Sequence, residues 1–246
     1  GTPLTPVETM INALKGKNAM ICYENPSQVE EACEVCQSVV GDNGTYPAYM
    51  AGRKPDFVGY LKWVRFWMRH PAFEWFLIPD LIDGTASENR RLVEDWPLPR
   101  AISVPVYHYH EPLEYLIWLM DNFHRVALGS SGDYIDVGSE QWWSRTAEIM
   151  EVVCDEDGMP RVKLHGLRML DTEIFSRVPL ASADSTNVAR NIGLDVRWKG
   201  TYVPRRKLSR AIVMIQNIED HAAAHRWIRN GVGHQQNMQL VQSALS

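Results

Sequence analysis

Short runs of β-branched and aliphatic residues alternate along the chain with longer stretches whose apolar positions recur every three or four residues. The short runs, at 18–22, 38–41, 75–79, 102–106, 125–129, 162–166 and 180–184, have the length and composition of strands. The stretches between them, at 27–37, 56–69, 86–96, 112–123, 140–153 and 171–178, carry the helical period. Pro26-Ser27 reads as the opening of the first of these helices, and Thr85 or Ser87 as the cap of the third. Strands alternating with helices of this length predict βαβ units and a parallel sheet. Seven strands are countable, and 211–216 reads equally as an eighth strand or as helix. No GxGxxG or GxxxxGK[ST] follows the first strand, which turns the pattern away from an open nucleotide-binding sheet. The expected fold is therefore α/β, a TIM-type (β/α)8 barrel with an irregular eighth unit and a helical C-terminal extension. It is read as a single domain over 1–246, with the segment 197–246 packed on it.

Length and composition fit that picture. The 246 residues, 45% hydrophobic and 22% charged, suffice for one large core. A net charge of −5 with a pI near 5.9 speaks against coating a polyanion by bulk charge, but leaves room for a local basic patch. No apolar run approaches the roughly 20 residues that span a bilayer, and no charged-then-apolar leader opens the chain. The expectation is a cytoplasmic protein, in a bacterium or encoded by a phage, with no membrane partner. Cys33 and Cys36 form a CxxC inside a helical pattern, so they are expected on one helical face. With no second pair at metal spacing, they read as reduced, partly buried thiols and not as a zinc site.

In a parallel barrel the reactive groups collect where strands end at their C-terminal edge. Here those ends carry Gly41-Asp42-Asn43-Gly44, Pro79-Asp80 with Asp83-Gly84, Tyr107-His108-Tyr109-His110-Glu111, Leu128-Gly129-Ser130-Ser131-Gly132, His165-Gly166 and Ala183-Asp184-Ser185. Any one such Asp is explained as well by a helix cap or a turn. Aspartates at three strand ends, converging on one pocket, supply a nucleophile and a general acid/base for a glycosidic carbon.

The same residues carry a family resemblance. DNGTYPAY at 42–49 resembles the first aspartate motif of the tRNA-guanine transglycosylases, IPDLIDG at 78–84 their second aspartate strand, and VPVYHYHEP at 104–112 the strand that follows. ALGSSG at 127–132 sits where that family has a Gly-Gly turn, and VKLHGL at 162–167 and SADSTN at 182–187 resemble its last two strands. The motifs are in the family's order, and the likeness is greatest to short phage-type members that insert 7-deazaguanines into DNA. The resemblance implies Asp184 as nucleophile and Asp42 as general acid/base. It also implies a base pocket of Asp80, Asp83, His108, Gly129, Ser130, Ser131, His165 and Gly166. It implies no cofactor, and a free preQ0-like 7-deazaguanine as co-substrate.

Exchange of one purine-like base for another needs no ATP, because one N-glycosidic bond replaces a similar one. The tRNA-directed members bear a Cys/His zinc site after the barrel, whereas no cysteine follows Cys154 here. That favours DNA over tRNA as the polymer. The run 197–210 holds six Lys/Arg and no acid, so Arg205, Arg206 and Lys207, with Arg190 upstream, are the expected phosphate contacts; a solvated face explains the run equally. His221 and His225, spaced i, i+4, lack a third ligand and read as surface histidines. Three alternatives stay open: a tRNA enzyme without the zinc subdomain, a nucleoside or glycoside hydrolase on the same barrel, and a non-catalytic nucleic-acid binding module. The oligomeric state is open as well, a homodimer or a partner protein included.

Overall fold

The computed structural model of the protein describes residues 1–185 and 203–229. Eight parallel strands follow in chain order: β1 (Asn18–Cys22), β2 (Ser38–Asp42), β3 (Phe73–Leu77), β4 (Ser103–Val104), β5 (Val106–His108), β6 (Arg125–Gly129), β7 (Lys163–Gly166) and β8 (Ser182–Ala183). They form two four-stranded sheets, β1-β2-β3-β4 and β5-β6-β7-β8. The helices are α1 (Val7–Leu14), α2 (Val29–Val35), α3 (Thr45–Met50), α4 (Phe57–Trp67), α5 (Ala86–Glu94), α6 (Leu113–Asn122), α7 (Glu140–Val153), α8 (Thr172–Phe175) and α9 (Lys207–Glu219). The α/β class and the parallel pairing expected from the pattern are present.

Where two sheets meet, the expected strand 102–106 is divided. Its first half pairs with β3 and its second half with β6. Pro105 lies at the break because it has no N–H to give to a ladder. Its carbonyl still accepts from Ala127 N at 2.9 Å, so one extended run joins both sheets. At the other edges, Thr2 N donates to Met20 O (3.2 Å) and Gly1 N to Ser185 O (2.9 Å). The first two residues thus lie between β1 and the end of β8. No ladder joins β8 to β1 among the described residues.

The two faces of the strands bury different groups, as their two-residue period requires. On one face Ile21, Val39 and Phe76 pack with α1, α2 and α4, joined by Phe73 across the register shift between Val39 and Val40, and Val126, Leu128 and Leu164 pack with α6, α7 and α8. On the other, Met20, Trp75, Leu77, Val104, Val106 and Ala127 from both sheets share one cluster. Gly41 keeps β2 close to β3: a Cβ there would lie 2.3 Å from Phe76 Cδ1.

Several expectations are corrected. The third strand begins two residues earlier than expected, at Phe73. Of the two readings open for 211–216, the helical one is present, within α9, which packs on α1 and ends at Glu219. His221 and His225 therefore lie beyond the helix and not on one face of it. Helix α2 stops at Val35, with Cys36 already extended, so Cys33 and Cys36 do not share a helical face. Both thiols are free and half-buried. The helix caps are Gln28 for α2 and Thr85, in a full capping box, for α5. Among the described residues no helix is long and apolar enough to cross a membrane.

Candidate active site

Every chemically notable side chain at this end of the sheets follows from strand polarity. Asp42 closes β2, His108 closes β5, Gly129 closes β6 and Asp184 directly follows β8, while Asp80 lies three residues past β3. All strands are parallel, so these positions share one end. They line a cavity of about 460 Å³ together with Cys22, Asn43, Ser130 and Arg168, walled by apolar groups such as Met20, Leu77, Tyr46 and Leu167. That volume falls in the range of sites for small ligands.

The three carboxylates sit in different environments. Asp42 Oδ1 accepts from Gly44 N at 3.1 Å. Gly44 has φ 78°, a left-handed turn that lets Glu24 close against it; a Cβ there would come within 2.7 Å of Glu24 Cγ. Burial pushes the Asp42 carboxyl up to about 6, the Gly44 N–H opposing and the charge of Asp184 adding to it. Asp184 behaves oppositely. Burial alone would raise it, but the His165 imidazole, then the charge of the Gly1 amino group and the backbone N–H of Arg168, outweigh burial and hold it below the ordinary carboxylate range. Arg168 N donates to Asp184 Oδ1 at 2.9 Å, and His165 Nε2 lies 3.6 Å from the same oxygen, within ion-pair range but beyond a hydrogen bond. Two carboxyl groups held apart in this way can divide the roles of acid and anion.

Asp80 is buried and fully oriented. Asn43 Nδ2 donates to its Oδ1 at 2.6 Å, and His108 Nε2 meets its Oδ2 at 2.8 Å. Burial would lower the His108 imidazole, but the hydrogen bond and charge of Asp80 prevail and raise it. Behind Asp184 a second chain of contacts runs through the sheet: Arg125 Nη1 donates to Ser182 Oγ (3.0 Å), and Ser182 Oγ meets His165 Nδ1 (2.9 Å). Arg125 also lies over Trp75, whose ring meets His165 edge-on at 4.9 Å.

Of the expected site residues, Asp42, Asp80, Asp184, His108, Gly129 and Ser130 line the cavity. Ser131 is buried behind it, its hydroxyl 2.7 Å from His110 Nδ1. His165 and Gly166 support Asp184 from below; Gly166 O accepts from Asp184 N at 3.1 Å. Asp83 does not line the cavity: it is exposed and faces the exposed Tyr49. Arg205, Arg206 and Lys207 are exposed at the start of α9 and none of them lines the cavity. Arg190 and the run 197–202 lie outside the described residues.

Sequence reasoning missed three groups. Asn43, next to Asp42, orients Asp80, and its place at a strand end was a readable signal. Glu111 accepts from His108 N (2.8 Å) and from Asn89 Nδ2 (2.9 Å), which holds β5 in place. Arg168 reaches the cavity through a backbone conformation that no sequence pattern announces. Among the described residues no cluster of three His, Cys, Asp or Glu side chains is arranged to hold a metal ion. Compared with family models, with curated proteins and with solved structures, the chain matches none.

Proposed function

We propose that this protein is a base-exchange transglycosylase, replacing guanine in a nucleic acid, DNA in preference to tRNA, with a 7-deazaguanine. The reading includes closure of the two sheets into a (β/α)8 barrel. One observation carries it: a single cavity holds an oriented aspartate and two further aspartates of opposite tendency, Asp42 inclined to keep a proton and Asp184 inclined to lose one.

Each group then has a step. The ionised Asp184 attacks C1′ of the target nucleotide as the bond to guanine breaks, giving an aspartyl–sugar ester. Asp42 gives its proton to a ring nitrogen of the departing base. The incoming base loses its ring N–H proton to the Asp42 carboxylate, and the freed nitrogen attacks C1′ and releases Asp184. Two inversions retain the anomeric configuration. Asp80, whose oxygens keep a second lone pair each beyond Asn43 and His108, accepts from the N–H edge of the guanine-like base. Gly129 leaves room beside His108 for a flat ring: a Cβ there would stand 3.1 Å from His108 Nδ1.

Nucleoside mass spectrometry of DNA and of tRNA tests the reading. Cells would express the protein, or its Asp184→Asn variant, with a supply of 7-deazaguanine base. The modified base is expected in DNA from wild-type cells alone. Its absence from both polymers, or its persistence with Asp184→Asn, overturns the reading. Free guanine released without any incoming base would identify a hydrolase instead.

A further inference from the structure

Arg168 is the only non-glycine residue with positive φ among the described residues, at 61°. That left-handed conformation is disfavoured for an L-residue. Three hydrogen bonds to one residue hold it there. Asp184 Oδ1 accepts from Arg168 N (2.9 Å), Asp184 O accepts from Leu170 N (3.0 Å), and Asp184 N donates to Gly166 O (3.1 Å). The turn after β7 is thus tied to Asp184, and Arg168 lies within that turn with its side chain exposed.

The side chain is exposed, and its guanidinium lies over the Tyr46 ring at 4.5 Å. An exposed stack of this kind is weak and does not exceed the backbone strain. Folding therefore gains nothing from arginine here over glycine. What arginine adds is a cation at the cavity rim. Among the lining groups Arg53 is spent on Glu24 (2.5 Å) and His108 on Asp80, and no carboxylate among the described residues lies within ion-pair distance of Arg168. Arg168 and Val137 also line a second cavity of about 260 Å³, with Trp143, Leu170 and Ile174 as apolar walls and Asp171 and Glu173 beside them. Arg168 therefore lines both cavities.

We propose that Arg168 binds the phosphodiester that links the target nucleotide to its neighbour, the neighbour entering the second cavity. This rests on the base-exchange reading and deepens it, since it names the residue that would engage the polymer's backbone. A polyanion approaching three carboxylates needs a cation held rigidly beside them, and a planar guanidinium backed by an aromatic ring offers two N–H groups to phosphate oxygens.

The test is fluorescence anisotropy with short guanine-containing single-stranded DNA, and with RNA of the same sequence, at several salt concentrations. Arg168→Gly is expected to weaken binding about tenfold and to reduce the salt slope by about 0.7. Its melting midpoint is expected to be no lower than wild type, because glycine relieves the strain. Arg168→Lys keeps the charge and should restore most of the salt slope. Binding by Arg168→Gly within twofold of wild type at an unchanged slope overturns the assignment alone. Wild type that binds neither polymer overturns the base-exchange reading with it.

Discussion

Replacing Asp42 by asparagine should stabilise the fold at neutral pH while removing the acid that the proposed base exchange requires. The carboxyl is pushed from 3.8 up to about 6, chiefly by burial. An acid whose proton is held more tightly in the folded state than in the unfolded one weakens the fold where it is ionised. The loss begins as pH rises past the unfolded value near 4 and is complete above about 6. About 2 units at about 1.4 kcal/mol each give a cost near 3 kcal/mol at pH 7. That is an upper figure, since the group lines an open cavity and water reaches it. Asparagine keeps an oxygen for the Gly44 N–H and carries no charge, so Asp42→Asn should gain about 1–3 kcal/mol at pH 7. In a chain of this size each kcal/mol corresponds to about 2–4 °C in melting midpoint. Urea melts followed by tryptophan fluorescence from pH 4 to pH 8 read the effect. The gap between variant and wild type should shrink towards zero near pH 4. A variant no more stable than wild type at pH 7, or a gap constant across the range, refutes the reasoning.

Two other substitutions probe the scaffold. Gly41→Ala should destabilise the fold by about 1–3 kcal/mol, because its Cβ meets the buried Phe76 ring at 2.3 Å and Trp63 at 3.1 Å; an unchanged urea midpoint would show that β2 and β3 can part at no cost. Ser182→Ala breaks the path from Arg125 to His165 and loosens the imidazole beside Asp184. The carboxyl should then rise, so the acid limb of the single-turnover rate of base release should move to higher pH. An acid limb in the wild-type position would detach Ser182 from Asp184.

The end of the sheet that bears the site was legible because strand ends are punctuated by the residues that chemistry uses. Asp42, Asp80, His108 and Asp184 were found this way, and parallel pairing brought them to one end. Where the reading failed, local rules competed. Helix α3 has no place among the expected helices; it follows Gly44 and carries Pro47 within its six residues. Pro47 is the third residue of that helix, where its missing N–H has no intrahelical partner to lose. Asp83 looked like Asp80 in sequence, yet three residues past it the chain has already turned outwards to start α5. Pro105 lay inside an apolar run that reads as one strand and serves as a hinge between two sheets. The strained turn at Arg168 is set by hydrogen bonds to Asp184, sixteen residues on, so nothing local foretells it.

The central claim is that Asp184 forms a bond to the sugar, and intact-protein mass spectrometry tests it most directly. The protein would be incubated with guanine-containing DNA without an incoming base, then denatured and digested. Wild type is expected to gain the mass of the abasic DNA strand, mapped to the peptide containing Asp184 and discharged on adding a 7-deazaguanine. Guanine release with no such adduct, or an adduct that persists in Asp184→Asn, would contradict the account.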